Sequence, residues 1–440
     1  CFLPGLRELT ARVHKHDCKI AAQLNHSGKV SQEDTVAGRP ILVPSIPAKS
    51  RNDMMPLLTR DELGNFIKMA GPDGKGPRYR VMDKGDIAAL IGDFVNAALR
   101  AVAAGFDGIE IHGGHGYVIS SFLSPASNQR DDDYGGSLEN RARLMVDIIG
   151  AVRTAVGPDF PIIIRLDAKE YRVDNGITPD DFIAAAKLAQ AAGVDAIDVS
   201  AYSDTQKGIA FTEAPLVHQP SAYVPFSERV KHELGLPVIA VGRIELDSAA
   251  KDIAQHKYDF LGLGRKLIAD PELPNKCAAG LAQTIRPCIY CYICVSQIFI
   301  NKPLICAVNT DVGREYKADL IASTAETRQR FVVVGGGPGG MEAARLLASV
   351  GHQVTLFEKE PQLGGTARIA ALAYEPNGGL IDYLSGELRR LNVDVRLNSA
   401  VTIDALQSLQ PDHVIVATGA KREAPDIPGE NLHHVFDGEE

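Results

Sequence analysis

The stretch Gly108-Ile-Glu-Ile-His112-Gly-Gly-His115-Gly-Tyr117 decides the fold. A short β-prone run ends here in a cluster of histidine, glycine and tyrosine. Residues 86–104, just before it, repeat apolar side chains at helical spacing, so a helix leads into this strand. In a (β/α)8 barrel the carboxyl ends of the strands build the active site. His112, His115 and Tyr117 are therefore candidate catalytic residues at a strand end.

The same strand-and-helix unit recurs on both sides of this stretch. Parallel strands that are covered on both faces consist of nearly continuous apolar runs, and five more such runs are present, at residues 20–25, 161–166, 196–200, 237–241 and 260–262. We predict an α/β fold whose first domain, residues 1–285, is a (β/α)8 TIM barrel. Six strands are visible. We expect the other two upstream of Cys1, which makes the barrel N-terminally incomplete.

Polar residues follow several of the other predicted strands. Gly242-Arg243 and Gly264-Arg265 are suited to a phosphate, because glycine frees backbone amides and guanidinium groups pair with phosphate oxygens. Arg165 either neutralises a developing negative charge or forms a buried ion pair. His112 and His115 can hold a carbonyl oxygen while Tyr117 delivers a proton. A metal pair or a merely polar loop is the alternative.

Four cysteines form a second signal, Cys288-x2-Cys291-x2-Cys294-x11-Cys306, in residues 286–315. A tight triplet followed by one distant cysteine is typical of a [4Fe–4S] cluster, and a tetrahedral zinc site is the alternative. Closely spaced thiols favour a reducing compartment, so we expect a cytoplasmic protein.

A third signal is Val332-Val-Val-Gly335-Gly-Gly337-Pro-Gly-Gly340, followed by Glu358 at the end of the next strand. Glycines that admit a pyrophosphate, a helix N-terminus and an acidic residue for a ribose hydroxyl form the dinucleotide fingerprint. After a linker over residues 316–330, we predict a Rossmann-like dinucleotide-binding domain over residues 331–440 that is C-terminally incomplete. A simple glycine-rich loop is the alternative.

Composition limits the possible partners. The chain has 46 Lys and Arg against 55 Asp and Glu, a net charge of −9, and 45% hydrophobic residues. An acidic chain without a basic run gives no reason to expect nucleic acid or anionic lipid as a partner. We find no uninterrupted apolar run of about 18 residues, so we expect no membrane span.

The combination resembles the multidomain Old Yellow Enzyme family, which includes NADH:flavin oxidoreductases, 2,4-dienoyl-CoA reductases and the trimethylamine dehydrogenase group. Beyond the three signals, the resemblance rests on four short stretches: 122–125, 128–130, 133–143 and 309–315. It implies that FMN contacts Gln23 and Arg165 through its ring and Gly242, Arg243, Gly264 and Arg265 through its phosphate. It also implies a [4Fe–4S] cluster on the four cysteines, and FAD or ADP on Gly335, Gly337, Gly340 and Glu358.

The resemblance leaves the direction of electron flow open. In one direction NAD(P)H supplies electrons and the C=C bond of an α,β-unsaturated carbonyl compound, such as an enoate or a 2,4-dienoyl-CoA, is reduced with Tyr117 as proton donor. In the other, an amine dehydrogenase or N-demethylase oxidises N-methylated amines and passes electrons through the cluster to a partner. A non-catalytic electron-transfer subunit is the third possibility. We expect a small-molecule substrate and a homo-oligomer in either enzymatic case.

Overall fold

The computed structural model describes residues 2–48, 59–203, 219–299, 302–317, 327–420, 427–429 and 432–435. The chain divides into two compact units, Cys1–Gly262 and Leu263–Glu440. The domain boundaries that we predicted from the sequence stay predictions.

A six-stranded parallel sheet forms the centre of the first unit, in the order β1-β4-β5-β6-β7-β8. This sequential order is typical of (β/α)8 barrels, and all six predicted strands are present. A separate parallel pair consists of β2 and β3. The strands are β1 Ala21–Leu24, β2 Pro40–Val43, β3 Arg78–Val81, β4 Gly108–Gly113, β5 Ile162–Tyr171, β6 Ala196–Ser203, β7 Val238–Ala240 and β8 Phe260–Leu261.

Helices connect these strands in the alternation that the sequence predicted. They are α1 Leu3–His14, α2 Gln32–Ala37, α3 Arg60–Lys68, α4 Lys84–Ala104, α5 Val118–Leu123, α6 Leu138–Val156, α7 Pro179–Ala192, α8 Val224–Leu234 and α9 Leu246–Ala254.

Helix α4 is the one helix of the described residues that is long and apolar enough to cross a membrane. We expected no such segment. The helix starts at a capping box between Asp83 and Asp86 and ends at Gly105, whose φ is 86°. Its apolar face, which includes Leu90 and Phe94, is buried in the same core as Ile109 and Ile111 of β4. The composition of α4 therefore fits a helix packed against the sheet.

The two faces of the six-stranded sheet differ in polarity. Successive side chains of a strand point to opposite faces. One set, which includes Ile109, Ile111 and Ile164, is fully buried in the hydrophobic core. The alternate positions carry polar side chains, and the register pairs them across strands as Gln23 with Glu110, His112 with Arg165, Arg165 with Asp198, and Asp167 with Ser200. The strand pattern therefore collects polar groups on one face.

The second unit contains a four-stranded parallel sheet in the order β11-β10-β9-β12. This is the Rossmann-like arrangement that the sequence predicted. Its strands are β9 Arg330–Val334, β10 Gln353–Phe357, β11 Asp394–Arg396 and β12 His413–Val416. Its helices are α10 Arg265–Ala269, α11 Leu273–Ala278, α12 Ile293–Phe299, α13 Pro338–Ser349, α14 Thr366–Ala373, α15 Pro376–Arg390 and α16 Ile403–Leu409.

The segment over residues 51–85 differs from what its composition indicates. Its several Gly, Pro and charged residues predict a loop excursion over the mouth of the barrel, and this prediction is wrong for residues 59–85, which contain α3 and β3. The reason is that β3 pairs in parallel with β2, and this pairing satisfies backbone groups that a loop would leave to water. Residues 51–58 of this segment and 318–326 of the predicted linker lie outside the described residues.

Candidate active site

His112 lies at the end of β4 and is 4% exposed. The backbone N–H of Gly114 donates to its Nδ1 at 3.3 Å. An imidazole nitrogen that accepts a hydrogen bond carries no proton, so the ring proton of neutral His112 is on Nε2. The turn that follows the strand thus fixes which nitrogen of His112 can donate.

His115 and Tyr117 lie beside His112. The ring centroids of His112 and His115 are 4.7 Å apart, those of His112 and Tyr117 4.9 Å, and those of His115 and Tyr117 6.4 Å. His115 has a left-handed backbone with φ 61°. Tyr117 immediately precedes α5. The three predicted catalytic residues therefore form one compact group, made by the turn between β4 and α5.

Both histidines are neutral at pH 7. Burial lowers the pKa of His112 to about 3, and the nearby Arg165 guanidinium adds to this shift. Burial and then Arg165 also lower the pKa of His115 well below its ordinary value. A neutral imidazole has one N–H donor, so each ring can give one hydrogen bond to an oxygen atom in the site.

Arg165 of β5 lies in register with His112 and contacts β6. Its Nη2 donates to Ser200 Oγ at 3.3 Å, and its Nε is 3.5 Å from Asp198 Oδ2. That Nε is buried and has no hydrogen-bond partner among the described residues. The side chain is thus partly in an ion pair, as one of our two interpretations predicted. Its buried Nε–H could also donate to the edge of a flavin ring on which negative charge develops.

Gln23 of β1 lies opposite Glu110 and donates its side-chain N–H to the Glu110 carboxylate. On the same sheet face, burial raises the pKa of Asp198 to about 7, Glu110 raises it further and Arg165 opposes the shift. Gln23 and Arg165, which the resemblance assigns to the FMN ring, therefore belong to one polar layer with two carboxyl groups.

Asp167 is a site residue that our sequence reasoning missed. Its Oδ2 accepts from the backbone N–H of His115 at 2.7 Å and from Ser120 Oγ at 2.9 Å. Burial raises its pKa to about 7, and the neighbouring Glu170 carboxyl contributes. The sequence does contain a sign of this position. Asp167 is two residues after Arg165, so both side chains lie on the same face of β5.

The two glycine-arginine pairs lie in different units. After β7, Gly242 and Arg243 both have left-handed backbones, with φ 106° and 55°. Consecutive backbone amides in such a turn can point towards one anion, as a phosphate requires. Gly264 precedes α10 in the second unit. There the Arg265 guanidinium lies 5.3 Å from the Tyr290 ring and 4.7 Å from the Tyr292 ring.

The cysteine segment follows in the same unit. The six cysteines that the structure describes are all free thiols. Burial raises the pKa of Cys288 and of Cys294, and each is affected by the charge of Cys306. Within the described ranges, no group of three or more His, Cys, Asp or Glu side chains converges to hold a metal ion. Thiols are the ligands that iron–sulfur clusters need, so the donor set fits, and Cys288, Cys291, Cys294 and Cys306 stay predicted ligands.

The glycine-rich turn of the second unit fits a nucleotide. A Cβ on Gly340 would lie 1.9 Å from the Gly335 carbonyl oxygen, so only glycine permits this close strand–helix packing. Gly337 is the N-cap of α13. The Glu358 carboxylate accepts the N–H of Gly336 at 2.6 Å and is fixed at the end of β10. A carboxylate has further acceptor sites, so Glu358 can also take a ribose hydroxyl.

Comparisons with known proteins agree with this arrangement. Residues 2–284 match the model of the NADH:flavin oxidoreductase / NADH oxidase family, and residues 333–385 match an NAD(P)-binding Rossmann-like domain. An NADH oxidase of Thermoanaerobacter brockii is 38% identical over 99% of this chain and 63% of its own length. An N,N-dimethylglycine/sarcosine dehydrogenase of Chromohalobacter salexigens is 33% identical over 97% of this chain and 59% of its own.

A solved 2-naphthoyl-CoA reductase has a similar structure, with a TM-score of 0.86 and 28% identity over 98% of this chain and 64% of that one. The chain thus spans less than two thirds of the length of these relatives. Its parallel barrel sheet, its strand-end histidines and its Rossmann-like unit are explained together by one assignment. The chain belongs to the NADH:flavin oxidoreductase / NADH oxidase family, which includes the Old Yellow Enzymes.

Proposed function

We propose that this protein reduces the C=C bond of an α,β-unsaturated carbonyl compound, such as an enoate or a 2,4-dienoyl-CoA, with NAD(P)H as electron donor. The observation that carries the proposal is that His112, His115 and Tyr117 form one group, with ring centroids 4.7 to 6.4 Å apart. Two oxygen-binding donors beside a proton donor suit reduction next to a carbonyl group.

The chain's own residues would bind the substrate and move a proton. Neutral His112 donates its Nε2–H to the carbonyl oxygen, and His115 donates a second hydrogen bond. These bonds strengthen as negative charge develops on that oxygen. Tyr117 delivers its phenolic proton to the α-carbon. FMN, held by Gln23, Arg165, Gly242, Arg243, Gly264 and Arg265, would supply the hydride for the β-carbon.

Removal of the Tyr117 hydroxyl tests the proposal. In the Tyr117→Phe variant of the full-length, cofactor-loaded protein, we expect turnover of an enone to fall by about 10² to 10⁴-fold, which is the usual contribution of a positioned proton donor. The KM for the enone changes little, because the histidines bind its oxygen. Tyr79→Phe in β3 is the matched control and keeps full turnover. Unchanged turnover in Tyr117→Phe would rule out this residue as the proton donor.

Oxidation of an N-methylated amine or amino acid is a second candidate function. Similarity to the N,N-dimethylglycine/sarcosine dehydrogenase and the CxxCxxC spacing favour it. The sequence has no Trp for an aromatic cage around a cationic amine, although tyrosines can also form one. Anaerobic stopped-flow absorbance separates the two functions. Flavin bleaching by NADH or NADPH, followed by reoxidation with an enone, supports the reductase, whereas bleaching by an amine alone supports the dehydrogenase.

The remaining cofactors and partners follow from this proposal. Cys288, Cys291, Cys294 and Cys306 would hold a [4Fe–4S] cluster that carries electrons between FMN and a nucleotide in the second unit. FAD, or ADP in its place, would bind at Gly335, Gly337, Gly340 and Glu358. A separate electron-transfer protein is required only if the amine dehydrogenase function holds. We propose a homo-oligomer that takes small-molecule substrates, with no nucleic acid or membrane as partner.

A further inference from the structure

The Asp167 carboxyl group supports the turn that carries His115. One oxygen accepts from the His115 backbone at 2.7 Å and from Ser120 Oγ at 2.9 Å. A Cβ on Gly114 would lie 2.8 Å from the other oxygen, so the turn passes directly over the carboxyl group. A left-handed backbone, such as that of His115 at φ 61°, is costly for a residue other than glycine and persists only where its surroundings hold it. Asp167 is the described side chain that accepts the His115 amide.

A chain of hydrogen bonds favours one tautomer of the His115 ring. Arg165 Nη2 donates to Ser200 Oγ at 3.3 Å, and guanidinium groups can only donate. Ser200 Oγ is also 2.7 Å from His115 Nε2. Ser200 can donate its hydroxyl proton to Nε2, or accept from Nε2–H with its second lone pair. The hydrogen bond from Arg165 makes the hydroxyl a stronger donor and so favours the first arrangement, with the ring proton of neutral His115 on Nδ1, the nitrogen that can donate to a substrate oxygen.

The second oxygen of Asp167 lies near this arrangement. Its Oδ1 is 3.9 Å from His115 Nε2. A negative charge at that distance attracts a proton to Nε2 and so opposes the Nδ1–H tautomer that Ser200 favours. We propose that Asp167 is a positioning residue whose charge selects the tautomer of His115, and with it how tightly the histidine pair holds a substrate oxygen. The inference rests on the proposed function, in which His115 donates to that oxygen.

Asp167 changes charge in the physiological range. Burial raises its pKa to about 7, Glu170 raises it further, and Ser120, His115 and Arg165 oppose the shift. Below pH 7 the carboxyl group is neutral and His115 keeps Nδ1–H; above pH 7 the carboxylate favours Nε2–H and substrate binding weakens. The ionisable groups around Asp167 and His115 come from the end of β4 and the turn after it, and from β5, β6 and α7. They are His112, Tyr117, Arg165, Glu170, Tyr202 and Asp181.

The pH dependence of KM tests the inference in the cofactor-loaded, full-length enzyme. The substrate is 2-cyclohexen-1-one, which has no ionisable group of its own. In the wild type we expect its KM to rise by up to about tenfold between pH 6 and 8.5, the value of one neutral hydrogen bond, with little change in kcat. Asp167→Asn keeps the shape but not the charge, so its KM stays at the low-pH value throughout.

A second variant changes only the charge near Asp167. Glu170→Gln removes the carboxyl group that raises the pKa of Asp167, so the rise in KM shifts to lower pH. A role for Asp167 in stability alone would not produce this shift. A wild-type KM independent of pH, or a rise that persists in Asp167→Asn, would overturn the inference and leave the proposed function intact.

A crystal structure of the cofactor-loaded Asp167→Asn and Asp167→Ala variants gives a readout that does not depend on turnover. We expect Asp167→Asn to preserve the turn, and Asp167→Ala to release His115 from its left-handed backbone and from Ser200. If His115 keeps its left-handed backbone and its contact with Ser200 in the Asp167→Ala variant, Asp167 does not position His115. When the wild type fails to reduce the enone, the proposed function falls, and this structural result alone decides the positioning role.

Discussion

His112 links the chemistry of the site to the stability of the protein. Its pKa is lowered to about 3 by burial, so the folded protein excludes a proton that the unfolded chain binds below pH 6.5. Folding stability therefore falls as the pH decreases through this range. Between pH 7.5 and 5 we expect His112 to account for a loss of about 2 kcal/mol, which urea unfolding of the wild type and His112→Gln measures. Equal losses in both proteins would contradict this.

At single residues, the sequence predicted which side chains lie close together where one short motif contains them. The grouping of His112, His115 and Tyr117 was predictable, because the motif lies at a strand end, whereas their catalytic roles stay predictions. Asp167 was not, since its role depends on the length of β5, which extends to Tyr171 and not only to Leu166 as we predicted. The hydrogen bond from the His115 backbone to Asp167 joins residues 52 positions apart, and no local pattern reports such a contact.

At the scale of elements, the turn between β9 and α13 makes a sharp prediction. A Cβ at position 340 would lie 1.9 Å from the Gly335 carbonyl oxygen, so Gly340→Ala forces strand and helix apart. We expect a loss of roughly 1 to 3 kcal/mol in stability and of most of the bound FAD. The FAD released by acid, measured by chromatography against the protein concentration, checks this.

Gly386→Ala provides the matched control for that substitution. Gly386 lies within α15, and a Cβ there would meet no described heavy atom within 4 Å. Alanine inside a helix is more favourable than glycine by about 0.5 to 1 kcal/mol, so this variant should keep its FAD and gain slight stability. A normal FAD content in Gly340→Ala would show that the nucleotide does not depend on this turn.

Elements were predictable where a local pattern sets them. The barrel strands and α4 follow apolar periodicity, and α4 also has a capping box and a terminal glycine, so their limits agree with the structure within a few residues. The segment after β2 was not predictable in this way. Strand β3 has the short sequence RYRV with mostly exposed side chains, and it is a strand because β2 lies beside it. Pairing between distant segments is invisible to periodicity.

For the whole molecule, the proposed function depends on the order of the barrel, the cysteine segment and the Rossmann-like unit along the chain. Strand-end histidines alone fit a metal pair or a polar loop, and a glycine-rich turn alone fits many nucleotide-binding proteins. A barrel of this family followed by four clustered cysteines and a Rossmann-like unit supports the proposal of flavin chemistry in which electrons pass through several carriers. The proposed function therefore depends most on which metal or cluster the cysteine segment binds.

Metal analysis of the full-length protein, purified without oxygen, tests that content. If Cys288, Cys291, Cys294 and Cys306 hold a [4Fe–4S] cluster, we expect about four iron atoms and four acid-labile sulfides per chain. Cys291→Ser should lose most of both, because a cluster with three ligands is labile, and NADH should then no longer drive enone reduction at the wild-type rate. Cys277→Ser replaces an exposed free cysteine outside the segment and is the control that keeps the iron. If the analysis instead finds one zinc atom per chain and no acid-labile sulfide, the four cysteines hold a structural zinc ion. The proposed electron path between the two units is then ruled out.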